Sequence, residues 1–385
     1  MRHENTVFAN LLKLIPRSMF EALVKKHGIG AQARGMTARV QFCAMLFAQL
    51  SGAASLRHLE TALATHRSVL YHAGIGEGVR RSTLADANRD RSHAFFDDLF
   101  SALLARLQVS LPRKMRAPVR LIDSTSLKLS SLSSRWARFS NGVFGAKLHV
   151  VYDPTEDRPV YFVTTPANVN DITPAKTFAI EPGATYVFDL GYYDFAWWAA
   201  LDAQGCRIVT RFKTNTPLSV VEECPVPGNQ DLILSDRIGH LPERLAYARK
   251  NPMQDPVREI CIRIETGKVL RLLTNDLDAP AQEIADLYKS RWQIELFFRW
   301  IKQTLKIKHF LGTSQNAVRI QIAVALIAFL LLRAAQTIYR IAESPLAFAR
   351  MLRMALTHRR PIDRLIDPPG DPRKNQGQLP LAFPK

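Results

Sequence analysis

The stretch YKSRWQIELFFRWIK, residues 288–302, carries one carboxylate within a row of basic side chains. The row consists of Tyr288, Arg291, Glu295 and Lys302, with Arg299 and Lys306 beside it. At about 100° per residue, the first four fall within roughly 60° of the circumference of one helix. Basic groups on one face suit phosphates, and a single acid among them suits a metal ion that bridges to those phosphates. The simpler alternative is an Arg291–Glu295 surface pair, worth about 0.3–0.5 kcal/mol.

Two aspartates stand at the ends of apolar runs. Asp123 follows the run 119–122, and Asp189 follows Val187 and Phe188 and precedes Gly191, which permits a sharp turn. Ligands of α/β sheets gather at the carboxyl ends of strands, so the two carboxylates are placed to converge. An aspartate that ends an apolar strand is costly to bury unless it is paired or metal-bound. For either aspartate alone, a turn or a helix cap is the alternative interpretation.

Asp123, Asp189 and Glu295 together make a set of three carboxylates that suits Mg²⁺. This ion prefers hard oxygen ligands and keeps several waters for a substrate phosphate. Two such ions, about 3.5–4 Å apart, would activate the attacking oxygen and stabilise the leaving oxygen of a phosphoryl displacement. Arg291 and Lys302 would then hold DNA phosphates. Tyr288 is either a further phosphate contact or a packing residue.

The elements that must position these residues predict an α/β fold with a mixed sheet and flanking helices. The order is β-β-β-α-β-α-β: strands at 119–129, 146–153 and 159–168, a short helix near 171–180, a strand at 185–194, a helix at 194–205 and a strand at 206–213. The alternation of strands and helices does not continue into residues 215–280, where turn signals alternate with strand-like runs. We expect a β-rich insertion there, before one long helix at 281–307.

The first 112 residues are predicted to be helical, because apolar residues recur at a spacing of three and four. Within them, residues 80–91 could form the recognition helix of a helix-turn-helix unit, and a three-helix packing unit without a DNA role is the alternative. Toward the C-terminus, apolar helices are predicted at 316–340 and 345–356. The longest apolar stretch, 322–332, is about half the length that spans a bilayer, so it is interpreted as a buried helix.

The overall charge points to a polyanionic partner. The 385 residues contain 52 Lys and Arg against 34 Asp and Glu, a formal charge of +18. Nucleic acid is the first expectation, an anionic membrane the second, and a merely soluble basic protein the remaining alternative. The 4 cysteines are far apart in sequence, which argues against a zinc finger or a disulfide framework and favours a reducing compartment. The N-terminus lacks the features of a signal peptide, so we expect a cytoplasmic protein without a membrane anchor.

Three motifs taken in order resemble a known family. The motifs are Asp-Ser-Thr at 123–125, DLGYYD at 189–194 and the Tyr-Arg-Glu-Lys register at 288–302. Together they resemble the insertion-sequence-four family of bacterial DDE transposases, over roughly residues 115–310. The resemblance implies an RNase H-like core in which Asp123, Asp189 and Glu295 are the catalytic and metal-binding triad, with Mg²⁺ as the cofactor and Mn²⁺ as a substitute. It also implies that the β insertion helps to hold the transposon end.

The same resemblance implies a domain order and an activity. The expected parts are a helical DNA-binding domain at 1–112, the first part of the core at 113–214, the insertion at 215–280, the second part of the core at 281–335 and a C-terminal helix and tail at 336–385. The implied activity is cut-and-paste transposition: binding of terminal inverted repeats, metal-dependent strand cleavage and transfer to target DNA, by a dimer on DNA at the bacterial nucleoid. Two alternatives stay open, a catalytically silent DNA-binding relative and an RNase H-like metal nuclease without strand transfer.

Other residues are candidates for binding rather than chemistry. Lys147, His149, Arg211 and Lys213 lie on strands beside the predicted site and are candidate phosphate contacts, or ordinary strand residues. Four tryptophans, at 197, 198, 292 and 300, could stack on a displaced base, although core packing is the better interpretation for most. Asn170 and Asp171 resemble a polar pair of the family, and helix capping explains them equally well. Finally, Gln378, Leu381 and Phe383 match a short pattern by which bacterial proteins dock on the replication sliding clamp.

Overall fold

A mixed β-sheet forms the centre of the computed structural model, which describes residues 5–29, 36–75, 78–109, 117–140, 142–226, 232–244, 250–304 and 310–365. In this part of the chain the sheet has ten strands. They are β1 (Val119–Lys128), β2 (Arg138–Ser140), β3 (Val143–Asp153), β4 (Arg158–Pro166), β5 (Thr185–Phe188), β6 (Arg207–Arg211), β7 (Ser219–Glu223), β8 (Ile233–His240), β9 (Val257–Arg263) and β10 (Val269–Thr274). Nine of them follow the order β2-β3-β1-β5-β6-β10-β9-β8-β7, and β4 also pairs with β3.

The five strands around β1 have RNase H-like topology, as the sequence predicted. Strands β1, β3 and β4 form an antiparallel meander, and β5 and β6 continue the sheet parallel to β1. In the register of β1 with β3, Asp123 lies opposite Val150, and Ser124 lies opposite His149. Side chains alternate between the two faces of a strand, so Asp123 and Ser124 point to opposite faces of the sheet.

The β-rich insertion is confirmed, and its strands extend the same sheet. β10 pairs antiparallel with β6, with Leu272 opposite Arg211. Strands β9, β8 and β7 then follow in order, each antiparallel to its neighbour. The prediction had placed this segment between the sheet and the next helix in the chain, and the pairing of β10 with β6 makes it part of the sheet instead.

The chain divides into two compact units, residues 1–87 with 327–385 and residues 88–326. The first unit contains α1 (Val7–Leu12), α2 (Arg17–Lys26), α3 (Ala38–Ser51), α4 (Leu56–Thr65), α5 (Arg67–Leu70) and α13 (Pro345–Ala355). Within this unit the N-terminal and C-terminal segments are in contact, because the backbone N–H of Phe8 donates to the carbonyl of Leu356 at 3.0 Å. The ring of Phe8 also packs edge-on against Phe47 of α3, with the ring centres 5.4 Å apart. The helical character predicted for the N-terminal residues is confirmed.

The second unit contains the sheet and the helices that cover it. These are α7 (Ala94–Val109), α8 (Ile172–Ala175), α9 (Phe195–Asp202), α10 (Ala281–Ser290) and α11 (Trp292–Thr304), while α6 (Arg81–Asp90) and α12 (Gln315–Ile338) run from one unit into the other. On one face, Trp198 and Phe188 pack with Ile122 in the main apolar cluster. On the other, Phe100 of α7 meets Phe162 at 5.0 Å, and Phe297 of α11 meets Tyr152 at 4.9 Å.

Three predicted elements differ from the structure. The helix expected near 171–180 is the single turn α8, which ends at Ala175 with Lys176 as its C-cap. The strand expected over 185–194 ends at Phe188, where the Asp189 side chain begins a 3-10 turn, Leu190–Tyr192. The single helix expected over 281–307 is α10 followed by α11. The chain tightens at their junction, where the N–H of Arg291 donates to Tyr288 and the N–H of Ile294 donates to Arg291, each three residues apart.

Helix α12 is long and apolar enough to cross a membrane by length and composition. However, 89% of its most apolar window is buried inside the protein. Its burial is that of a core helix, in agreement with the interpretation of residues 322–332 as a buried helix.

Candidate active site

The two aspartates occupy equivalent positions on neighbouring parallel strands. In the register of β1 with β5, Ile122 lies opposite Phe188; Asp123 is the next residue of β1, and Asp189 is the first residue after β5. Neighbouring strands lie about 4.8 Å apart, so the two carboxylates start from adjacent points at the same end of the sheet. The convergence predicted from strand-end positions is therefore built into the pairing of β1 with β5.

Each aspartate is oriented by a nearby backbone N–H, Asp123 within strand β1 and Asp189 within the turn after β5. Asp123 Oδ1 accepts from the N–H of Ser124 at 2.7 Å. Asp189 Oδ1 accepts from the N–H of Gly191 at 2.8 Å. A Cβ at position 191 would lie 3.0 Å from Asp189 Oδ1, and the φ of Gly191 is outside the left-handed region. Glycine is thus required here for space, whereas the sequence had suggested a role in turning the chain.

Glu295 approaches the aspartates from α11, and Arg291 connects them. The Arg291 guanidinium donates through Nη2 to Glu295 Oε1 at 2.5 Å and through Nη1 to Asp123 Oδ2 at 3.3 Å. The side chains of Asp123 and Arg291 are each 17% exposed. The i,i+4 pair of Arg291 and Glu295 is consequently part of a partly buried triplet with Asp123, which excludes the isolated surface pair considered from the sequence.

Burial and the two neighbouring acids disfavour the charged form of Asp123. The pKa of Asp123 is raised from its ordinary value near 3.8 to about 7: burial is the largest cause, the charges of Asp189 and Glu295 also raise it, and the Ser124 N–H and Arg291 lower it. Three acids that repel one another around one point suit a divalent cation, and their oxygens are the hard donors that Mg²⁺ and Mn²⁺ take. Among the described residues no three such side chains are close enough to form a ready metal cluster. Because Arg291 lies between Asp123 and Glu295, its guanidinium would have to move for Glu295 to join the aspartates.

Tyr288 and Arg211 lie beside the acids. Tyr288 is buried, with the Arg291 guanidinium 5.7 Å from its ring centre. Burial raises the pKa of its hydroxyl, the charges of Arg291 and Arg211 lower it, and that of Asp189 raises it. Both basic side chains are therefore close to the hydroxyl, and Arg211 is near the acids as the sequence suggested.

The remaining candidates have different surroundings. Lys147 donates to Asp171 Oδ1 and to the carbonyl of Val169, each at 2.9 Å, so its ammonium is held inside the protein. Lys213 is exposed above the ring of Tyr193 at 4.2 Å, and Arg299 is exposed with its guanidinium 5.9 Å from the ring of Trp292. Lys302 is partly buried on α11. Lys306 and the clamp-like segment with Gln378, Leu381 and Phe383 lie outside the described residues.

The tryptophans divide as the packing interpretation predicted. Trp197 and Trp198 of α9 are buried in the apolar cluster, where the indole N–H of Trp198 donates to the carbonyl of Tyr192 at 3.0 Å. Trp292 is different: it is 49% exposed on α11, three residues before Glu295.

Asp171 is the site residue whose role the sequence did not reveal. It makes no side-chain capping bond to the described backbone of α8, so helix capping does not explain it. Instead, Asp171 Oδ1 accepts from Ser124 Oγ and from Lys147 Nζ, each at 2.9 Å. The signal was present in the alternation of the strands, because Ser124, Lys147 and His149 all face the same side of the sheet.

The sequence of this chain is similar to those of known transposases. Residues 114–331 match the family described as Transposase DDE domain, and residues 3–76 match a domain of unknown function. A Sinorhizobium fredii protein named as a transposase is 43% identical over 74% of this chain and 80% of that protein. A Geobacillus stearothermophilus protein named as a transposase for insertion sequence element IS5377 is 25% identical over 86% of this chain and 85% of that protein. Among solved structures, a piggyBac transposase synaptic complex with hairpin DNA has a TM-score of 0.47 and 12% identity, over 97% of this chain and 84% of that chain.

Proposed function

The chain belongs to the Transposase DDE domain family, and from this membership we propose that it is the cut-and-paste transposase of a bacterial insertion sequence. In this proposal it binds the terminal inverted repeats of its element, cleaves DNA strands there and joins the freed end to target DNA. The observation that carries the proposal is that Asp123 and Asp189 directly follow the last paired residues of two neighbouring parallel strands, Ile122 and Phe188, and that Glu295 is joined to Asp123 through Arg291.

Asp123, Asp189 and Glu295 would hold the divalent cation that transposases of this class use, and Mg²⁺, with Mn²⁺ as a substitute, is the ion we propose. When bound, the ion supplies Lewis-acid stabilisation of charge on the reacting phosphate and a more acidic bound water. The protein's own part is to hold the acids in place through the N–H groups of Ser124 and Gly191. The burial of Asp123 limits the access of bulk water to the site.

Arg291 has two sets of partners in this proposal. Without DNA its guanidinium neutralises Asp123 and Glu295. A DNA phosphate offers the same bidentate geometry as a carboxylate, so it competes for the guanidinium. Transfer of Arg291 from Glu295 to the phosphate would free the acid at the moment when the substrate arrives. Tyr288, Arg211 and Lys302 would contact phosphates next to it, and Arg299 and Lys213 would contact the flanking strand.

A cleavage assay with Glu295→Gln tests the proposal. We expect the variant to bind end-containing DNA like the parent and to lose Mg²⁺-dependent cleavage by at least about a thousandfold, because metal-assisted displacement supplies several kcal/mol of the rate enhancement. The matched control is Glu283→Gln on α10, where the carboxylate pairs with Arg207 outside the site. Cleavage by Glu295→Gln at the parental rate would refute the triad.

The same assay separates the two alternatives. A parent protein that binds the ends and shows no Mg²⁺-dependent cleavage would be a catalytically silent DNA-binding relative. Cleavage without joining to target DNA would identify a metal nuclease of RNase H type. Cleavage followed by joining is the result that we expect for a transposase.

The DNA-binding and assembly roles extend beyond the catalytic unit. We propose that the N-terminal helices bind the inverted repeats: Arg57 on α4 and Arg67 on α5 are exposed, as are Arg80 and Arg81 at the start of α6. Lys147 would either stay paired with Asp171 inside the fold or, if it is released from Asp171, contact a DNA phosphate. We further propose a dimer on DNA, located in the cytoplasm at the nucleoid. Light scattering of the protein with and without end DNA tests the dimer, and a single protomer per DNA end pair would contradict it.

Docking on the replication sliding clamp through Gln378, Leu381 and Phe383 is a separate proposal. It rests on the sequence pattern, in which two apolar anchors follow a glutamine, as in other peptides that fill grooves. A pull-down with purified clamp should recover the parent protein and not the Gln378→Ala/Phe383→Ala variant. Equal recovery of both would refute it.

A further inference from the structure

A second carboxylate centre lies behind the catalytic aspartates, on the opposite face of β1. Its members are Asp171, Ser124, Lys147, His149 and Tyr192. Asp171 follows β4 and precedes α8, and Tyr192 lies in the 3-10 turn after β5, so two strands, β1 and β3, and two turns contribute to one cluster. His149 is fully buried, and Tyr192 is 1% exposed. A charged group in such surroundings is costly unless it is paired, and Lys147 supplies the pairing at 2.9 Å.

Asp171 connects strand β1, which carries Asp123, with the turn after β5 that carries Asp189. Through Oδ1 it accepts from the hydroxyl of Ser124, the residue that follows Asp123. Through Oδ2 it lies against Gly191, where a Cβ would be 3.3 Å from that oxygen. Gly191 is also the residue whose N–H orients Asp189. One carboxylate thus contacts a neighbour of each catalytic aspartate.

The hydroxyl of Tyr192 lies within electrostatic reach of Asp123, Asp171 and Asp189. Burial raises the pKa of this hydroxyl well above its ordinary value, and the charges of Asp123, Asp171 and Asp189 all raise it further. Three aspartates therefore act on one buried hydroxyl. The cluster behind β1 and the acids in front of it are close enough to influence each other.

We propose that Asp171 is a positioning residue that sets the relative placement of Asp123 and Asp189 for metal binding, through Ser124 on one side and the Gly191 turn on the other. The inference rests on the proposed metal-dependent function. Lys147 is the counter-ion that allows Asp171 to remain charged inside the fold, and this intramolecular role explains why its ammonium has two protein acceptors.

A direct metal-ligand role fits Asp171 less well. Its Oδ1 atom is occupied by Ser124 Oγ and Lys147 Nζ, and the cationic Lys147 would oppose a bound cation at that oxygen. Ser124 and Asp123 point to opposite faces of β1, so Asp171 contacts the strand from behind. Residues that orient metal ligands in this way typically change metal affinity or activity about 10–100-fold when they are mutated.

The test is the metal dependence of Asp171→Asn, which keeps the shape of the side chain and removes its charge. We expect end-DNA binding to stay near the parental value and the thermal unfolding midpoint to fall, because Lys147 loses its counter-ion. The Mg²⁺ concentration for half-maximal cleavage should rise about 10–100-fold, and high Mg²⁺ should recover much of the rate. Mn²⁺ binding, followed by electron paramagnetic resonance of the free ion with the protein alone and with end DNA, should weaken by a similar factor.

Ser124→Ala provides a second variant that keeps every charge and removes the link between Asp171 and β1. Ser124→Ala should also raise the Mg²⁺ concentration for half-maximal cleavage. If Asp171→Asn does not fold, the result for Ser124→Ala tests the proposal by itself. The matched control is Asp194→Asn, since Asp194 also pairs with a lysine, Lys176 at 2.6 Å, and caps α9, a role that asparagine retains. It should leave the Mg²⁺ dependence unchanged.

Two results would overturn the inference. One is a parental Mg²⁺ and Mn²⁺ dependence in both Asp171→Asn and Ser124→Ala. The other is an equal shift in Asp194→Asn, which would mean that any lost carboxylate in this segment has the same effect. A failure of the proposed function would give a different result: the parent protein would show no Mg²⁺-dependent cleavage, or Glu295→Gln would cleave normally. Either result is independent of how tightly Asp171→Asn binds Mn²⁺.

Discussion

Burial shifts the pKa of two residues in the catalytic unit in opposite directions. The pKa of Asp123 is raised to about 7, chiefly by burial and then by the charges of Asp189 and Glu295. The pKa of His149 is lowered to about 4, because burial outweighs the attraction of Asp171, and Lys147 lowers it further. In the folded protein near pH 6, both side chains therefore favour their neutral forms.

The two shifts have opposite effects on stability. A carboxyl whose folded pKa is raised stabilises the fold fully below its unfolded pKa near 4, and this contribution is lost as the pH rises through 7. An imidazole whose folded pKa is lowered stabilises the fold above its unfolded pKa near 6.5, and this contribution is lost as the pH falls toward 4. Between pH 4 and 6.5 the two dependences offset one another in the metal-free protein.

Single substitutions should separate these contributions. Relative to the parent protein in EDTA, Asp123→Asn should lose unfolding free energy as the pH falls from 6.5 to 4, by up to about 1.4 kcal/mol per pH unit, because His149 then acts unopposed. His149→Gln should show the reverse slope relative to the parent. Urea unfolding at half-unit pH steps measures both, and parallel curves for the two variants would contradict the assigned shifts.

At the scale of elements, the 3-10 turn after β5 determines where Asp189 points. Gly191 lies between two carboxylates, with the position of its absent Cβ 3.0 Å from Asp189 Oδ1 and 3.3 Å from Asp171 Oδ2. Its φ is outside the left-handed region, so alanine is compatible with the backbone here. A substitution at this position therefore tests the space beside the carboxylates without adding backbone strain.

Gly191→Ala should impair cleavage far more than folding. The methyl group would push one or both carboxylates by a few tenths of an ångström. Even small misplacements at a reacting centre lower the rate, since a displacement near 1 Å can cost about a hundredfold. We expect a cleavage rate at least about tenfold lower at saturating Mg²⁺, with end-DNA affinity and the unfolding midpoint close to the parent. A parental cleavage rate would show that the turn tolerates the methyl group and that Gly191 does not hold Asp189 in place.

Much of this element arrangement could be predicted from the sequence, and the exceptions have physical reasons. Alternating apolar residues and strand-end acids indicated β1, β3, β4 and the site of Asp123 and Asp189. The pairing of β10 with β6 could not be predicted, because pattern alone does not say which strand edge an insertion joins. Asp171 was singled out through its resemblance to a polar pair of the family, but its contacts could not be predicted: its partners Ser124 and Lys147 are 47 and 24 residues away in sequence, and only the sheet register brings them together.

The break between α10 and α11 shows a different limit. The apolar stripe runs through residues 284–301 without interruption, so periodicity predicts one helix. The tighter hydrogen bonds at Arg291 divide it in two, and they bring the guanidinium to both Asp123 and Glu295. The break between the helices therefore coincides with the ion pairs of Arg291 with Asp123 and Glu295. Local helix propensity does not account for it.

At the scale of the whole molecule, the formal charge of +18 predicts strong, salt-dependent DNA binding. Each phosphate neutralised by a basic side chain contributes about −0.9 to the slope of log K against log salt concentration. Arg299 is exposed on α11 four residues after Glu295, and Arg207 lies at the opposite end of the parallel strands from Asp189, paired with Asp276 and Glu283. The two arginines therefore provide a matched comparison between the site end of the sheet and its other end.

Arg299→Gln should reduce the magnitude of this slope by about 0.9, whereas Arg207→Gln should leave it unchanged. Fluorescence anisotropy with end-containing duplex between 50 and about 300 mM salt measures both slopes, in Ca²⁺ so that no cleavage intervenes. The comparison holds the net charge of the two variants equal, so a difference between them reports position rather than total charge. If both substitutions reduce the slope equally, the long-range field of the protein rather than the catalytic face determines DNA binding, and Arg299 is not a phosphate contact.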